Sequence, residues 1–275
     1  ARESQLEGFE ITKLFDSLRN IIISRNADEG VYRMYGHSDE PKGWSRWIYE
    51  QADIKSGECV LDAGCGWGNL WRYNEERLVP DMQVTLVDFH NTYADDLEEY
   101  VRDKSQFHFM WGDLNELDYP GKYDCIFLNH LILYLENPVE TYTRLRSFLN
   151  PGGRMITTWG GLLLAENLMT LLCEHAPEEQ KQIKAHFTEL KEEIEQREKE
   201  LKQVFSEVAL HKYPAVLHFE TAKEMVDYLE PVAKKLGVNS SDGMASFERF
   251  LEDKFKEVGE EIHMVRDSYL YVCRE

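Results

Sequence analysis

Basic residues are scarce in this chain, which has 31 lysines and arginines against 51 aspartates and glutamates. The formal net charge at pH 7 is therefore −20. A field of that sign repels phosphate backbones and anionic membrane surfaces. We therefore expect neither a nucleic-acid partner nor binding to a membrane.

Paired cysteines and long apolar runs are also missing. The five cysteines are spread widely and form no C-x-x-C pair, which argues against a disulfide framework and against a zinc site. No stretch approaches the roughly 18 uninterrupted apolar residues of a membrane span. The first ten residues lack the basic-then-apolar pattern of a signal peptide. The expectation is a cytoplasmic protein without a metal site.

Hydrophobic residues make up 43% of the 275 positions, enough for a buried core. From residue 59 onward, short apolar runs alternate with longer amphipathic stretches, as in strand-helix-strand units. Connections between parallel strands are right-handed and cover both faces of the sheet. The pattern predicts an α/β fold with a doubly wound sheet, whose strands lie at 59–63, 84–88, 106–113, 123–129 and 154–159.

Helices are predicted between these strands. Residues 69–78 have apolar residues at near-helical spacing and precede Pro80, which would end a helix. Asn137 followed by Pro138 resembles a helix N-terminus. The helix that begins there would run to a turn at 150–153.

The predicted organisation is a single domain of four parts. These are an aromatic-rich N-terminal cap at 1–55, a core at 56–160, a helical insertion at 161–205 and the remainder of the sheet at 206–275. Within the insertion, apolar residues recur at three, four or seven positions, which predicts a long amphipathic helix. Its Glu/Lys run is typical of a solvated helix face.

Three glycines, Gly64, Gly66 and Gly68, alternate directly after the first predicted strand. Glycine permits positive φ and lets another molecule approach the backbone. A turn between a strand and a helix aims unpaired N–H groups at a ligand over the strand's carboxyl end. The pattern favours a nucleotide-type site, although it differs from the G-x-G-x-x-G spacing of dinucleotide-binding folds. A tight turn without a ligand is the alternative.

The segment VLDAGCGWGN, residues 60–69, resembles the first motif of class I S-adenosylmethionine-dependent methyltransferases. Further segments resemble this family in the same order: Asp88, then 112–114, 123–135 and 145–158. The resemblance implies a Rossmann-like, seven-stranded sheet with its last strand antiparallel. It also implies S-adenosylmethionine as cofactor.

The resemblance further implies roles for individual residues. Asp88 would accept hydrogen bonds from both ribose hydroxyls, a geometry that suits a carboxylate. Asp113 would bind the adenine amino group, with the backbone of Leu114 along the base. The implied cofactor-binding residues are Asp62, Gly64, Cys65, Gly66, Asp88, Phe89, Asp113, Leu114 and Asn129.

Methyl transfer from this cofactor is an in-line displacement in which the protein mainly supplies position. A base helps when the nucleophile arrives protonated. His130, after the fourth strand, is the predicted catalytic residue because imidazole is often neutral near pH 7. The alternative is that His130 packs beside the cofactor or hydrogen-bonds a backbone group.

A small organic molecule is the predicted methyl acceptor, and methylation at oxygen, nitrogen or carbon stays open. Aromatic residues of the cap, one residue after the fifth strand and the insertion, acting as a lid, would form its site. The tryptophans of the cap could instead be packing anchors. The candidate acceptor-binding residues are Tyr32, Tyr35, Trp44, Trp159 and Met169.

Two other functions compete with methyl transfer. A nicotinamide-dependent oxidoreductase would also use a glycine turn and an acid at the second strand, but Asp113 and the turn at 151–153 count against it. A methyltransferase-like protein that binds the cofactor or a partner without catalysis is the second. The oligomeric state is not predicted.

Overall fold

A computed structural model describes residues 43–89, 91–116, 118–119, 121–132, 135–259 and 262–275. Tyr32 and Tyr35, two of the candidate acceptor-binding residues, lie outside these ranges.

Strands and helices alternate through the first part of the described chain, up to residue 160. The elements are α1 (Gly43–Ala52), β1 (Cys59–Ala63), α2 (Asn69–Arg72), β2 (Gln83–Asp88), α3 (Asn91–Val101), β3 (Phe107–Trp111), β4 (Tyr123–Asn129), α4 (Pro138–Ser147) and β5 (Leu149–Gly160). Two helices, then a strand, two further helices and a last strand follow. They are α5 (Leu163–His175), α6 (Gln180–Val204), β6 (Glu207–Phe219), α7 (Ala222–Lys235), α8 (Ser241–Val258) and β7 (Ile262–Arg274).

The seven strands form one sheet in the order β3-β2-β1-β4-β5-β7-β6. Strands β1 to β5 pair in parallel, and β7 pairs with β5 in the antiparallel direction. The predicted fold, including the antiparallel last strand, is confirmed. The strand order reverses between β1 and β4, and open α/β sheets bind ligands beyond the carboxyl ends of the strands at such a point.

The helix predicted at 69–78 is shorter than expected. It consists of the single turn α2, followed by a 3₁₀ turn at Glu75–Arg77. Between them, the side-chain amide of Asn74 donates to the carbonyl of Leu70 (2.7 Å). The backbone amide of Asn74 bonds the carbonyl of Trp71 instead. The side chain thus takes the acceptor that a continued helix would have used, and the helix ends.

Strand β5 begins earlier than predicted, at Leu149 rather than Arg154. Tyr123 of β4 pairs with Leu149, and Cys125 pairs with Arg154, so that the register shifts between the two pairs. The predicted turn at 150–153 therefore lies within the strand's bounds as an irregularity.

The hydrophobic core contains one face of the sheet with α1, α2 and α3. Trp71 lies at its centre, with no exposed surface. Its ring meets those of Tyr49, Phe107 and Phe127 edge-on, with centroids 5.8 to 6.3 Å apart. Burying a side chain of this size is among the larger single contributions to folding.

The chain divides into two compact units. The first contains residues 44–160, 195–213 and 268–275, and so holds most of the sheet. Among the described residues, the second contains Gly43, 161–194 and 214–267. Within the second unit, the Asp267 carboxylate accepts a hydrogen bond from the backbone amide of Leu163 (3.0 Å), at the first residue of α5. Across the ranges described, no helix is both long enough and apolar enough to cross a bilayer.

Candidate functional site

The glycine turn joins β1 to α2 at the carboxyl edge of the sheet. Gly64, Gly66 and Gly68 have φ angles of 77°, 53° and 67°, values that other residues rarely adopt. The backbone amides of Gly64 and Cys65 both donate to the carbonyl of Val87, at 2.8 and 2.9 Å. This pair of bonds ties the turn to the end of β2.

The space around the glycines differs from one to the next. A Cβ atom on Gly66 would meet no atom within 4 Å. A Cβ on Gly64 would lie 2.1 Å from Cδ1 of Leu131, which follows β4 by two residues. Gly64 therefore makes room for a side chain of the protein, whereas the space beside Gly66 is open.

Two buried carboxylates flank this turn, as predicted. Asp62 of β1 and Asp88 of β2 are 3% and 7% exposed. Asp88 accepts a hydrogen bond from the amide of Gly66 (2.8 Å), and Asp62 accepts one from Nε1 of Trp71 (2.8 Å). The structure thus brings together the two acids that the sequence placed on neighbouring strands.

The expectation that the turn presents unpaired N–H groups is wrong at four positions. The amides of Gly64, Cys65 and Gly66 bond the carbonyl of Val87 or the carboxylate of Asp88. The amide of Gly68 bonds the carbonyl of Cys65. These four donors therefore close the turn.

Burial alters the protonation of two groups in the turn. It raises the pKa of Asp62 to about 7, and the nearby Asp88 adds to this, while the hydrogen bond from Trp71 opposes it. Burial, with the two acids, also raises the pKa of the Cys65 thiol. Asp62 can therefore change its charge near neutral pH, and Cys65 is held as a thiol rather than a nucleophilic thiolate.

Exposed aromatic side chains follow β2 and end β3. Phe89 is 58% exposed and Trp111 is 61% exposed. Nε1 of Trp111 donates to the carbonyl of Phe89 (3.1 Å). The sequence analysis included Phe89 among the candidate cofactor-binding residues and did not include Trp111. The only feature of the sequence that points to Trp111 is a large aromatic residue at the end of a predicted strand.

The segment after β3 contains the two residues predicted to contact adenine. Asp113 is exposed, and its Oδ1 accepts a hydrogen bond from the amide of Asn115 (2.8 Å). The carbonyl of Leu114 accepts one from the hydroxyl of Tyr119 (2.7 Å). Both residues lie at the same edge of the sheet as the turn.

Asn129 and His130 lie at the carboxyl end of β4. Oδ1 of Asn129 accepts a hydrogen bond from the hydroxyl of Thr158 (3.1 Å). His130 is exposed and has a φ angle of 55°, which is uncommon for residues other than glycine. Its amide donates to the carbonyl of Thr158 (3.0 Å). The neighbouring strand thus holds the backbone that presents the imidazole.

Trp44 lies in a cluster of aromatic rings with Trp47, His130 and Tyr213. Its ring centroid is 5.5 Å from that of Trp47, 5.1 Å from Tyr213 and 5.8 Å from His130. Tyr213, on β6, was missed because nothing in the sequence relates that strand to α1.

The other two candidate acceptor-binding residues have different surroundings. Trp159 is 5% exposed, and its ring stacks on that of Tyr271 at 4.4 Å. Because side chains alternate along a strand, it lies on the opposite face of β5 from Thr158. Met169 is a half-buried residue of α5 in the second unit. Their contact with an acceptor stays a prediction.

Comparison with known proteins identifies the part of the chain that contains the turn. Residues 61–155 match the family model described as "Methyltransferase domain". This segment is a class I S-adenosylmethionine-dependent methyltransferase domain. The predictions of family and cofactor are confirmed by the match.

Curated relatives are methyltransferases as well. The chain is 30% identical over 111 residues to phosphoethanolamine N-methyltransferase 3 of Arabidopsis thaliana, covering 40% of this chain and 22% of that one. It is 24% identical over 223 residues to the malonyl-[acyl-carrier protein] O-methyltransferase of Halalkalibacterium halodurans, covering 76% of each. The chain thus spans about a fifth of the first relative's length and about three quarters of the second's.

The fold is shared with a solved structure of similar size. A Bacillus halodurans C-125 protein, provisionally assigned as a methyltransferase, superposes with a TM-score of 0.51 at 13% identity. The match covers 84% of this chain and 97% of that one. At this identity the likeness concerns the fold alone, and it agrees with the sheet of the methyltransferase domain.

Proposed function

We propose that the protein transfers a methyl group from S-adenosylmethionine to a small organic molecule by in-line displacement. The observation that carries this is the open space at Gly66 beside the buried carboxylates of Asp62 and Asp88, within the methyltransferase domain. The relatives' names specify different acceptors, phosphoethanolamine and a malonyl group on a carrier protein. These names support methyl transfer as the reaction type, and they do not specify the acceptor of this chain.

The residues of the turn fit this cofactor chemically. Asp88, at the end of β2, would accept hydrogen bonds from the ribose hydroxyls, and the Asp62 carboxylate would face a ligand that carries positive charge. Asp113 and Leu114 would border the adenine, and the exposed ring of Phe89 offers it an apolar surface. When bound, the cofactor supplies a methyl group activated by a positively charged sulfur.

The protein contributes to the reaction by positioning the acceptor and by removing a proton from its nucleophilic group. Holding the acceptor's nucleophilic atom in line with the methyl carbon can lower the barrier by on the order of 7 to 11 kcal/mol. The cofactor would supply the methyl group for the new bond, and its sulfur would keep the electron pair of the carbon–sulfur bond that is broken. A protonated nucleophile must first lose a proton, and the exposed imidazole of His130 is the group that we propose accepts it.

The cofactor assignment is tested by calorimetric titration of the full chain with S-adenosylmethionine, S-adenosylhomocysteine and NAD. Both sulfur compounds should bind. Asp88→Ala should weaken S-adenosylmethionine binding by roughly 1.5 to 3 kcal/mol, the range for hydrogen bonds to a charged group. Asp103→Ala, which removes an exposed acid after α3, is the matched control and should bind normally. Unchanged affinity in Asp88→Ala, or a preference for NAD, contradicts the assignment.

Catalysis is tested separately from binding, because a protein of this fold that only binds the cofactor is the second candidate. A panel of small acceptors is screened for methyl transfer. His130→Asn should then lower turnover without a comparable loss of cofactor affinity. Asparagine tolerates positive φ, so the backbone at this position is preserved. His108→Asn, at an exposed position on β3, is the control.

Two results would count against these assignments. Equal turnover in the wild type and in His130→Asn would show that the His130 imidazole is not a base and has a packing role. Cofactor binding without methylation of any acceptor in the panel would favour the protein that only binds.

A further inference from the structure

An exposed tryptophan ends strand β3, next to the acid that is predicted to bind the ribose. Trp111 is 61% exposed, and Phe89, the residue after Asp88, is 58% exposed. Among the described residues, these two are half of the four large hydrophobic side chains that are exposed. The other two, Leu210 and Val258, lie on β6 and α8. Neighbouring exposed apolar side chains are the kind of surface that binds a ligand or a partner.

The register of the sheet relates Trp111 to the cofactor turn. Strands β2 and β3 pair in parallel, and Asp88 is the register partner of Trp111. Residues that pair in this way project their side chains from the same face of the sheet, because side chains alternate along both strands. The Asp88 carboxylate accepts a hydrogen bond from the amide of Gly66 in the turn (2.8 Å). The indole thus lies beside the carboxylate that connects β2 to the turn.

Two hydrogen bonds fix the end of β3 against the end of β2. Nε1 of Trp111 donates to the carbonyl of Phe89 (3.1 Å), and the amide of Gly112 donates to the carbonyl of Asp88 (3.0 Å). The first bond uses the only donor of the indole, so the rest of the exposed ring is apolar surface. A side chain that is already held in place loses less conformational freedom when a ligand covers it.

The exposed indole lies between the two acids that are predicted to bind the adenosyl group. Asp88 would bind the ribose, and Asp113, which follows Trp111 by two residues, would bind the adenine amino group. Because the purine is joined directly to the ribose, a base that reaches from one acid to the other has to pass the end of β3. A flat purine packs well against an aromatic ring. The adenine of the cofactor is therefore the group that best fits this surface.

We propose that Trp111 is a further cofactor-binding residue, and that its indole packs against the adenine of S-adenosylmethionine. The inference rests on the proposed function and adds to that site a residue to which neither the glycine spacing nor the motif resemblance gives a role. Strand β3 is also an edge of the sheet. A second copy of the chain that covers the indole is therefore the alternative occupant, and the test separates the two.

The contribution of the ring to affinity is tested by calorimetric titration of the full chain with S-adenosylhomocysteine, which contains the same adenosyl group. Trp111→Leu should weaken binding about fivefold or more, because the stacking surface for the base is lost. Trp111→Phe keeps an aromatic ring and removes the donor to the Phe89 carbonyl, so it should bind within about threefold of the wild type. His108→Leu changes another exposed side chain of β3 and is the control, which should bind normally.

The contact itself is tested by NMR of the wild-type chain with labelled tryptophan side chains, saturated with S-adenosylhomocysteine. Nuclear Overhauser effects should connect the adenine protons to one indole ring. The signals of that ring should be missing from the spectrum of Trp111→Phe, which assigns them to Trp111. A residue that only supports the end of β2 would not give these effects, because it would not touch the base.

Several outcomes would overturn the inference. Wild-type affinity in Trp111→Leu would do so, and so would the absence of Overhauser effects between Trp111 and adenine. Equal losses in the leucine and phenylalanine variants would assign the effect to the hydrogen bond with the Phe89 carbonyl instead. Self-association of the wild type that Trp111→Leu abolishes without a change in affinity, measured by sedimentation, would assign the surface to a second copy.

The same experiment keeps this inference separate from the proposed function. Failure of the wild type to bind S-adenosylhomocysteine would overturn the proposed function, and this is read before any variant is compared. Binding by the wild type that depends on Asp88 but not on Trp111 would leave the proposed function in place and overturn only the role of Trp111.

Discussion

At the scale of single residues, the contact between Trp71 and Asp62 decides the chemistry of the turn. The indole donates to a carboxylate that is 3% exposed, and it does so from the centre of the core. Such a bond favours the ionised acid, whereas burial and the neighbouring Asp88 favour the neutral one. The balance leaves Asp62 with a pKa of about 7.

Cofactor binding near pH 7 should therefore release a proton. The positive charge of S-adenosylmethionine favours the ionised form of Asp62, so that Asp62 loses its proton when the cofactor binds. The number of protons released is measured by calorimetric titration in buffers of different ionisation enthalpy. Release should fade toward pH 9, where Asp62 is already ionised, and Asp62→Asn should abolish it. Trp71→Phe removes the hydrogen bond that lowers the pKa of Asp62. The pH range in which cofactor binding releases a proton should therefore move upward. Proton release that is the same in wild type and Asp62→Asn would assign the titration to another group.

The same group makes the stability of the unliganded protein depend on pH. The native pKa of Asp62 lies above its ordinary value of 3.8, so between these two values the native state holds a proton that the unfolded state has released. The contribution of Asp62 to stability is thus complete below about pH 4 and is lost as the pH rises through 7.

At the scale of elements, one buried arginine ties α1 to the strands at the edge opposite the turn. The Arg154 guanidinium, at the first residue of β5 after the irregularity, donates to the carbonyls of Ala52 (2.6 Å) and Asp124 (3.2 Å). It also bonds both carboxylate oxygens of Glu58 (2.8 and 3.1 Å). A planar group with five donors can satisfy these acceptors together, and a lysine ammonium cannot.

Replacing Arg154 should destabilise the fold and spare cofactor affinity. Arg154→Met leaves a mostly buried carboxylate and several carbonyls without their donor, at a cost of about 3 to 5 kcal/mol in the free energy of unfolding. Arg154→Lys should recover only part of this. Arg77→Ala, which breaks the exposed pair with Glu50, is the control and should cost less than about 1 kcal/mol. Denaturant unfolding measures all three, and equal losses in Arg154→Met and Arg77→Ala would contradict this role.

At the same scale, the sequence predicted the strands better than the lengths of the elements. The apolar runs of β1, β2 and β4 were recognisable because buried parallel strands are apolar on both faces. The early end of α2 was not predicted, because it depends on which carbonyl the side chain of Asn74 bonds. The extension of β5 was missed because its first residues read locally as a turn.

At the scale of the whole molecule, charge and topology act together on the site. The excess of acidic residues, 51 against 31 basic ones, sets the sign of the field that a substrate meets. The sheet order places the ends of β1, β2 and β4 side by side. All of the predicted cofactor-binding residues therefore lie in one of the two compact units, within residues 44–160.

The sequence by itself determined the methyltransferase domain, the glycine turn and its two acids. These depend on backbone conformations and strand ends that neighbouring residues encode. Only the tertiary structure decided that Leu131 packs on Gly64, that Trp71 bonds Asp62 and that Tyr213 joins Trp44 and Trp47. The physical reason is that each of these contacts depends on how separate elements pack. Local propensity and spacing do not specify that packing.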